Sequence, residues 1–284
     1  MTAAIGVVVV SHYSEETIED CLQRLLAAED VAAVVVVDNG SGDDTLPIVR
    51  RLASRDARLR FIANPHNPGF AAACNQGAAQ LDAPWLAFVN PDLLVTPDTL
   101  ARLRRLAETV PNAGLLGADL VDEDGRRDLS ARRRDPALRT MLAGLGRRGS
   151  VAVPANDALD LQPVDAVSGA LMLLPRGLFL QLHGFDEGYR LHAEDLDLCR
   201  RVRQAGHGVF VANHVRVVHI RGVSSRRRPV WVEWQKHRGM WRYFGKFEGA
   251  GAGVIARTFV FAALWAHFLL AAPRAWLAAR RQPC

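Results

Sequence analysis

The chain has 284 residues, of which 49% are hydrophobic and 23% are charged, and its formal net charge is +5. This composition excludes a disordered or low-complexity protein and allows a sizeable core, in one large domain or in one domain with an appendage. The four cysteines are far apart and form no C-x-x-C pair, which argues against zinc and disulfide frameworks and favours a reducing compartment.

The first hundred residues alternate between apolar runs and segments with helical spacing. Four apolar runs predict strands, at 5–10, 34–37, 59–62 and 85–89. Four further segments predict helices, at 14–28, 45–53, 70–80 and 99–109, the first of them capped by Ser14. Because uninterrupted apolar strands are typical of sheets covered by helices on both faces, the predicted fold class is α/β with a mostly parallel central sheet flanked by helices.

The apolar run at 5–10 also bears on the expected location of the protein. It is too short for the core of a signal peptide and no basic region precedes it, so it is interpreted as the first strand. The folded domain is therefore expected in the cytoplasm.

Beyond residue 110 the pattern is less regular. A strand is predicted at 114–120, and a long, partly mobile loop region at 122–160 is expected near the substrate side. Later elements are predicted at 164–174, 177–182, 194–205, 208–211 and 215–219. Gly206 stands where a glycine commonly ends a helix, after the 194–205 segment.

Arginines cluster in two stretches of the chain. Each cluster is interpreted either as a solvated face or as a surface for an anionic partner such as nucleic acid, lipid or a diphosphate. The first contains Arg126, Arg127, Arg132, Arg133, Arg134, Arg139, Arg147 and Arg148, and the second contains Arg221, Arg226, Arg227 and Arg228.

The last part of the chain, 226–284, is predicted to be a helical appendage to a domain at 1–225. Between Arg257 and Arg274 no formally charged residue occurs, and this run is about 24 Å long as a helix, short of the roughly 30 Å of a bilayer core. Three alternatives stay open: a helix on the membrane surface, a single span, and a helix buried in the core or in a dimer. Trp231, Trp234 and Trp241 have the spacing of a packed helix face or, as an alternative, of a platform for a sugar.

Polar residues follow the predicted strands where each strand ends. Pro91 ends the strand at 85–89 and so delivers Asp92 to the carboxyl edge of the sheet, where open α/β folds bind ligands. No G-x-G-x-x-G follows the first strand and no P-loop motif occurs in the chain, which disfavours a dehydrogenase or a P-loop enzyme. The set at this edge suits a nucleotide with a bound cation: Ser11, His12, Tyr13, Asp38, Asn39, Ser41, Asn67, Gly69, Asn75, Asn90 and Asp92.

Several motifs in a fixed order resemble those of family-2 glycosyltransferases of GT-A fold, particularly the bacterial rhamnosyltransferase-like branch, over about residues 5–225. In chain order they are Val8-Val9-Val10-Ser11-His12-Tyr13, Val36-Val37-Asp38-Asn39-Gly40-Ser41, Asn67-Pro68-Gly69-Phe70 with Asn75, Asn90-Pro91-Asp92, Ser168-Gly169-Ala170, Gly184-Phe185-Asp186-Glu187, Glu194-Asp195-Leu196-Asp197-Leu198-Cys199-Arg200 and Val218-His219. Each motif alone is weak, whereas their order and spacing together are specific.

The resemblance implies donor and metal sites at the sheet edge. Asp38 would bind the pyrimidine or ribose of the donor, or alternatively serve only its own turn. Asp92 would hold Mg²⁺ or Mn²⁺ beside the diphosphate, although this chain has Asn90 where the family commonly carries a first aspartate. His219 would be a further metal or diphosphate ligand, or alternatively a core histidine. The other residues expected to bind the donor are Ser11, His12, Tyr13, Asn67, Gly69, Asn75, Gly169 and Ala170.

The Glu194-Asp195 pair opens the helix predicted at 194–205. By resemblance Asp195 would take the proton from an acceptor hydroxyl in a single inverting displacement, and Glu194 would orient a substrate. The alternative is simple capping of the helix by acidic residues. The assignment requires Asp92 and Asp195 to face one cleft.

The predicted function is an inverting, metal-assisted glycosyltransferase. Its subfamily resemblance favours transfer of rhamnose from dTDP-rhamnose to a saccharide or polyprenyl-linked acceptor of the cell envelope, at the inner face of the cytoplasmic membrane, with anionic lipid and without nucleic acid as a partner. Two alternatives are a sugar nucleotidyltransferase, which would need a glycine-rich, arginine-containing loop after the first strand, and a non-catalytic scaffold for envelope assembly.

Overall fold

The computed structural model describes residues 4–136, 151–220 and 229–281, and side chains as far as residue 277. The strands are β1 (Ile5–Ser11), β2 (Val31–Asp38), β3 (Leu59–Ala63), β4 (Trp85–Val89), β5 (Leu93–Leu94), β6 (Ala113–Val121), β7 (Arg132–Arg133), β8 (Leu161–Pro163), β9 (Ala166–Val167), β10 (Leu171–Pro175) and β11 (Gly208–His219). The α-helices are α1 (Ile18–Leu26), α2 (Thr45–Ala53), α3 (Phe70–Ala78), α4 (Thr99–Glu108), α5 (Arg176–Gln181), α6 (Glu194–Gln204), α7 (Pro229–Phe247) and α8 (Val254–Arg281).

Nine strands form the central sheet in the order β3-β2-β1-β4-β10-β6-β11-β5, with β8 also paired to β11. The strands β3, β2, β1, β4, β6 and β11 run in one direction, whereas β10, β5 and β8 run against them. The expected α/β class with a mostly parallel sheet is therefore confirmed. The antiparallel β10 is inserted between β4 and β6, and it brings the Ser168–Ala170 segment to the end of β4.

Two apolar clusters cover the two faces of the sheet. On one face α1 and α2 cover β2 and β3 and α4 covers β6 and β11, whereas on the other face α3 covers β1 and β2, α5 covers β10, and α6 covers β6 and β11. The small residues of α3 allow a close approach, because a Cβ at Gly77 would lie 2.5 Å from the side chain of Val8. Cys21, Cys74 and Cys199 are buried and free in these layers, and Cys284 lies outside the described residues.

Three expectations about element boundaries are wrong. Helix α1 begins at Ile18, and Ser14 instead forms a turn in which its carbonyl accepts the amides of Thr17 and Ile18. The strands predicted at 208–211 and 215–219 are one continuous strand, β11, whose register to β6 shifts between Ala212 and Arg216. The part of 122–160 that the structure describes contains a 3₁₀ turn (Leu129–Ala131) and β7, so it is not only loop.

The C-terminal residues form two helices that pack on each other. Trp234 stacks near Trp265, with ring centroids 4.5 Å apart, and Trp241 contacts Phe261 edge to face, so these tryptophans belong to a packed helix face. Helix α7 also joins the main fold, since Tyr243 is buried in the cluster around α6. The predicted boundary at residue 225 lies outside the described residues and stays a prediction.

Helix α8 is apolar and largely exposed. Residues Val254–Leu277 form one helix long and apolar enough to cross a membrane, and only 6% of this stretch is buried. Its outer face presents Ile255, Leu269 and Leu270 to the surroundings. Burial of this helix in the core of the single chain, one of the three alternatives, is therefore wrong.

Candidate active site

The ends of β1 and β2 are joined by a buried carboxylate. The Oδ1 of Asp38 accepts the hydroxyls of Ser11 at 3.0 Å and Ser41 at 2.5 Å, and its Oδ2 accepts the amide of Ser41 at 3.0 Å. Only 1% of Asp38 is exposed. These contacts of Asp38 stabilise the turn after β2, and its predicted role in donor binding stays a prediction.

The turn after β1 is hydrogen-bonded to the turn after β2. Tyr13 has a φ of +55°, which is unusual for a residue with a side chain, and its amide donates to the Ser41 hydroxyl at 2.9 Å. The rings of His12 and Tyr13 meet edge to face, with centroids 4.7 Å apart. Ser11 is buried, whereas His12 and Tyr13 are half-buried, so His12 and Tyr13 are the members of this turn that a ligand can reach.

The predicted donor residues near α3 hold a neighbouring loop in place. Asn75 exchanges hydrogen bonds with the backbone of Phe185 in both directions at 2.9 Å, and it also donates to Glu187. Gly69 has a φ of +109°, and a Cβ there would lie 2.8 Å from the carbonyl oxygen of Arg190. Asn67 accepts the amide of Gly69 at 2.9 Å. These contacts are structural, and they fix the segment that leads into α6.

Asp92 and His219 come together at the other end of the edge. Asp92 precedes β5, and β5 pairs antiparallel with the last residues of β11, so the Nε2 of His219 lies 3.3 Å from the Oδ1 of Asp92. The Nδ1 of His219 lies 3.9 Å from Asp128 Oδ2. Within the part of the chain that the structure describes, Asp92 Oδ1 and His219 Nδ1 have no hydrogen-bond partner.

This pair fits a divalent cation as a partial ligand set. A buried carboxylate oxygen without a hydrogen bond, beside an imidazole nitrogen, is the arrangement that Mg²⁺ or Mn²⁺ binds through one or two protein ligands, with substrate phosphate and water completing the shell. The described ranges contain no cluster of three acidic, histidine or cysteine ligands. Asp92 and His219 therefore supply only part of the coordination shell of such a cation.

Asp195 lies at the amino end of α6 and is held from three sides. Its Oδ1 accepts the amide of Leu196 at 2.8 Å, and its Oδ2 accepts the amide of Gly169 at 3.1 Å and the Nη2 of Arg133 at 2.5 Å. A Cβ at Gly169 would lie 3.3 Å from the Cβ of Asp195, so a side chain there would crowd the carboxylate.

The Asp92 and Asp195 regions are linked by the segment Ser168–Ala170. Ala170 accepts the amide of Asn90 at 2.8 Å, two residues before Asp92, while the next residue back, Gly169, donates to Asp195. The backbone of Gly169 and Ala170 thus connects Asn90, two residues before the predicted metal residue, to the carboxylate of the predicted base. Gly169 and Ala170 make these contacts through their backbone.

The two acids of the pair are driven to opposite ionisation states. Burial raises the pKa of Glu194 above its usual range, and the neighbouring charge of Asp195 acts in the same direction. Burial also acts to raise the pKa of Asp195, but the Arg133 guanidinium and the backbone N–H groups outweigh it and hold that pKa below its usual value. Because the pKa values of the two acids are shifted in opposite directions, Glu194 can act as a proton donor and Asp195 as an ionised proton acceptor.

Arg133 and the backbone before α6 are features that the sequence did not single out. The first arginine cluster is not simply solvated, because Arg132 is buried against Asp119 and Asn213 and Arg133 pairs with Asp195. Arg139, Arg147, Arg148 and the second cluster lie outside the described residues. His192 and Ala193 both have positive φ values, a strained pair directly before Glu194. An arginine bound to a distant carboxylate carries no local signal in the sequence.

Helix α7 supports this strained segment. A Cβ at Gly239 would lie 2.8 Å from the carbonyl oxygen of His192, so α7 touches the backbone that leads into α6. Lys246 bridges Asp186 and Asp197 at 2.8 and 2.6 Å, and Tyr243 donates to Asp135 at 2.8 Å. The C-terminal helices are thereby attached to the loops around Asp195.

Comparison with known proteins identifies close sequence relationships. Residues 6–163 match the model of glycosyl transferase family 2. The chain is 32% identical over 248 residues to the N-acetylglucosaminyl-diphospho-decaprenol L-rhamnosyltransferase of Mycobacterium tuberculosis strain H37Rv, covering 81% of this chain and 80% of that one. It is 26% identical to the rhamnosyltransferase WbbL of Escherichia coli K12, covering 74% and 84% of the two chains.

Solved structures share the fold. The mannosyltransferase PcManGT from Pyrobaculum calidifontis, in complex with GDP-Man and Mn²⁺, superposes with a TM-score of 0.62 at 19% identity, covering 100% of this chain and 77% of that one. Staphylococcus aureus TarS in complex with UDP superposes with a TM-score of 0.57 at 16% identity, covering 93% and 71%. These likenesses confirm the expected GT-A fold.

Proposed function

This chain belongs to glycosyl transferase family 2 and is an enzyme of the rhamnosyltransferase-like type that uses a nucleotide sugar, and from this premise we propose that it transfers rhamnose from dTDP-rhamnose to a lipid-linked saccharide of the cell envelope. The printed activity of the mycobacterial relative supports an acceptor in which a sugar is joined through a diphosphate to a polyprenol. Membership of this family leaves no support for the nucleotidyltransferase or the scaffold.

One observation carries the proposed site: the backbone of Gly169 and Ala170 hydrogen-bonds both to the amide of Asn90, two residues before Asp92, and to the carboxylate of Asp195. A donor whose diphosphate lies at Asp92 would then place its sugar toward Asp195. Family-2 enzymes need this proximity, because a single displacement requires the base and the leaving group on opposite sides of one carbon.

Asp195 is the proposed general base. Since its pKa is held low, it is ionised at neutral pH and accepts the proton of an acceptor hydroxyl while that oxygen bonds to the anomeric carbon of the donor. The bond from that carbon to the nucleoside diphosphate breaks with its electron pair, which inverts the configuration. Glu194 keeps its proton to a higher pH, so it can donate a hydrogen bond to a substrate oxygen.

Asp92 and His219 are the proposed protein ligands of Mg²⁺ or Mn²⁺. The donor's diphosphate would supply further ligands to the same cation. A bound cation would neutralise the negative charge that develops on the departing nucleoside diphosphate. His12 and Tyr13 are the proposed contacts to the nucleoside, since they are the accessible side chains of the β1 turn. Asp38, Ser11, Asn67, Gly69 and Asn75 would contribute by shaping the edge.

The proposed location is the inner face of the cytoplasmic membrane. The apolar, largely exposed surface of α8 supports insertion into the interfacial region, and Arg257 and Arg274 at the two ends of its uncharged run would meet anionic headgroups. A lipid-linked acceptor would be presented at that surface. Nucleic acid is not among the proposed partners.

The function is tested with the purified full chain and a panel of nucleotide sugars. We expect dTDP-rhamnose with Mn²⁺ or Mg²⁺ to raise the melting temperature more than UDP-glucose or GDP-mannose does, because a ligand that binds only the folded state stabilises it. Rhamnose should appear on a short-chain polyprenyl-diphosphate N-acetylglucosamine, with inverted anomeric configuration by NMR. Preference for another donor in both assays would contradict the proposed sugar.

A further inference from the structure

Arg133 lies where the arginine-rich loop meets the proposed base. It is the second residue of β7, and β7 pairs antiparallel with β9, so that Arg133 stands opposite Ala166. Its Nη2 donates both to the carbonyl oxygen of Val167 and to the Oδ2 of Asp195, the latter at 2.5 Å. About 17% of its side chain is exposed.

Part of the hydrogen-bonding capacity of the Arg133 guanidinium is unused. It carries five N–H donors, and the two hydrogen bonds above both leave from Nη2. The Nε is buried and has no hydrogen-bond partner among the residues that the structure describes. By contrast, Arg132 beside it is saturated by the Asp119 and Asn213 side chains. A buried guanidinium nitrogen without a partner is costly, and an anionic ligand would satisfy it.

We propose that Arg133 binds a phosphate group of the acceptor while it holds Asp195, which makes it a specificity-determining residue for acceptors that carry a diphosphate. This inference rests on the proposed function, because it assigns Asp195 to the acceptor. It assigns the acceptor's phosphate to Arg133, beside the residue that receives the acceptor's proton, and leaves the donor's diphosphate to Asp92 and His219.

The arrangement couples acceptor binding to the activation of the base. With the cleft empty of phosphate, Arg133 lowers the proton affinity of Asp195. A phosphate that shares the guanidinium adds negative charge and draws hydrogen bonding away from the carboxylate, and both effects raise its proton affinity. The acceptor would therefore strengthen the base that deprotonates it, and a phosphate-free sugar would not.

The test compares two acceptors that differ in the diphosphate. The probes are N-acetylglucosaminyl diphosphate on a citronellyl chain and octyl N-acetylglucosaminide, which has no phosphate. The full chain and its R133Q, R133K and R134Q variants are assayed for kcat/KM with dTDP-rhamnose, for dTDP affinity with Mn²⁺, and for melting temperature. Arg134 is exposed and adjacent, so R134Q changes the net charge equally without touching Asp195.

We expect R133Q to lower kcat/KM for the diphosphate acceptor by about tenfold to a hundredfold more than for the octyl glycoside, the range of a charge-assisted hydrogen bond. The kcat/KM of R133K for the diphosphate acceptor should lie between those of R133Q and the wild type, since one ammonium group cannot bind both Asp195 and the phosphate. R134Q should match the wild type. Affinity for dTDP should not change in any variant.

Two outcomes would overturn the inference while leaving the proposed function intact. An equal loss on both acceptors, in R133K as well as R133Q, would mean that Arg133 only supports the fold. Weakened dTDP binding in the Arg133 variants would mean that Arg133 binds a phosphate of the donor. A wild-type enzyme that transfers rhamnose to neither probe would overturn the proposed function, and this inference with it.

Discussion

The Nε2 of His219 lies 3.3 Å from the Oδ1 of Asp92, although His219 ends β11 and Asp92 follows β4, far earlier in the chain. The antiparallel pairing of β5 with β11 produces this contact, with Leu93 opposite His219. The Oδ1 of Asp92 has no hydrogen bond among the described residues and lies beside the Nε2 of His219, so the pair offers lone pairs to which a hard cation can bind.

Removal of the Asp92 carboxylate should weaken nucleotide binding only when a metal is present. We expect D92N to raise the dissociation constant of dTDP in Mn²⁺ by at least about tenfold, since even the loss of an outer-shell partner commonly costs that much. Titration calorimetry with Mn²⁺ and with EDTA measures the effect. D82N, at a fully exposed aspartate, is the control. A deficit that persists in EDTA would contradict metal binding at Asp92.

Neutralising Asp195 should stop transfer and spare donor binding. D195N keeps the shape of the side chain but cannot take a proton, so kcat should fall by roughly 10²–10⁴-fold, the usual contribution of a general base. The dissociation constant of dTDP-rhamnose should stay the same. Steady-state rates and calorimetry on the same preparation test both statements, and near-normal turnover by D195N would refute the assignment.

Glu194 should make the protein less stable as the pH rises. Its folded pKa is raised, so the folded state keeps the proton above the unfolded value of about 4.3, and the stability from this proton is lost as pH rises through the folded pKa. We expect urea unfolding at pH 5 to 9 to show E194Q gaining on the wild type with increasing pH. E123Q, at an exposed glutamate, should show no such gain. A difference independent of pH would contradict the raised pKa.

Two glycines of α7 should respond oppositely to alanine. A Cβ at Gly239 would lie 2.8 Å from the His192 carbonyl oxygen, whereas nothing lies within 4 Å of one at Gly245. We expect G239A to cost about 1–3 kcal/mol of stability through overpacking and to lower kcat by displacing the segment before Glu194. G245A should be neutral or stabilising by up to about 1 kcal/mol. Similar behaviour of the two variants would show that α7 does not support the site.

The outer face of α8 should decide membrane binding. Leu269 and Leu270 are 70% and 60% exposed, so L269S/L270S removes apolar area that would be buried among lipids. We expect its partition onto vesicles with anionic phospholipid to fall by at least about tenfold in flotation assays. L180S, at an exposed leucine of α5, is the control. Binding that is unchanged in L269S/L270S would place the membrane contact elsewhere.

Much of the fold could be predicted because its signals are local. The apolar runs of β1 to β4 have the length and composition of buried strands, and Thr45–Ala53 and Trp85–Val89 were predicted to the residue. The predicted start of α1 is wrong because serine is a common helix cap, whereas Ser14 forms a turn with Thr17 and Ile18 and its amide donates to the distant Thr45. The single strand β11 was divided because its irregular stretch interrupts the apolar pattern.

The sequence by itself determined the order of strands and helices, the family motifs and the acids Asp92, Glu194 and Asp195, because each depends on residues close together in the chain. Only the tertiary structure decided what these residues contact. It turned Asp38 and Asn75 inward to hold loops, brought His219 to Asp92, and placed Arg133 on Asp195. The physical reason is that hydrogen bonds and ion pairs act over a few ångströms of space, and sheet pairing, which no local pattern encodes, sets which distant residues come that close.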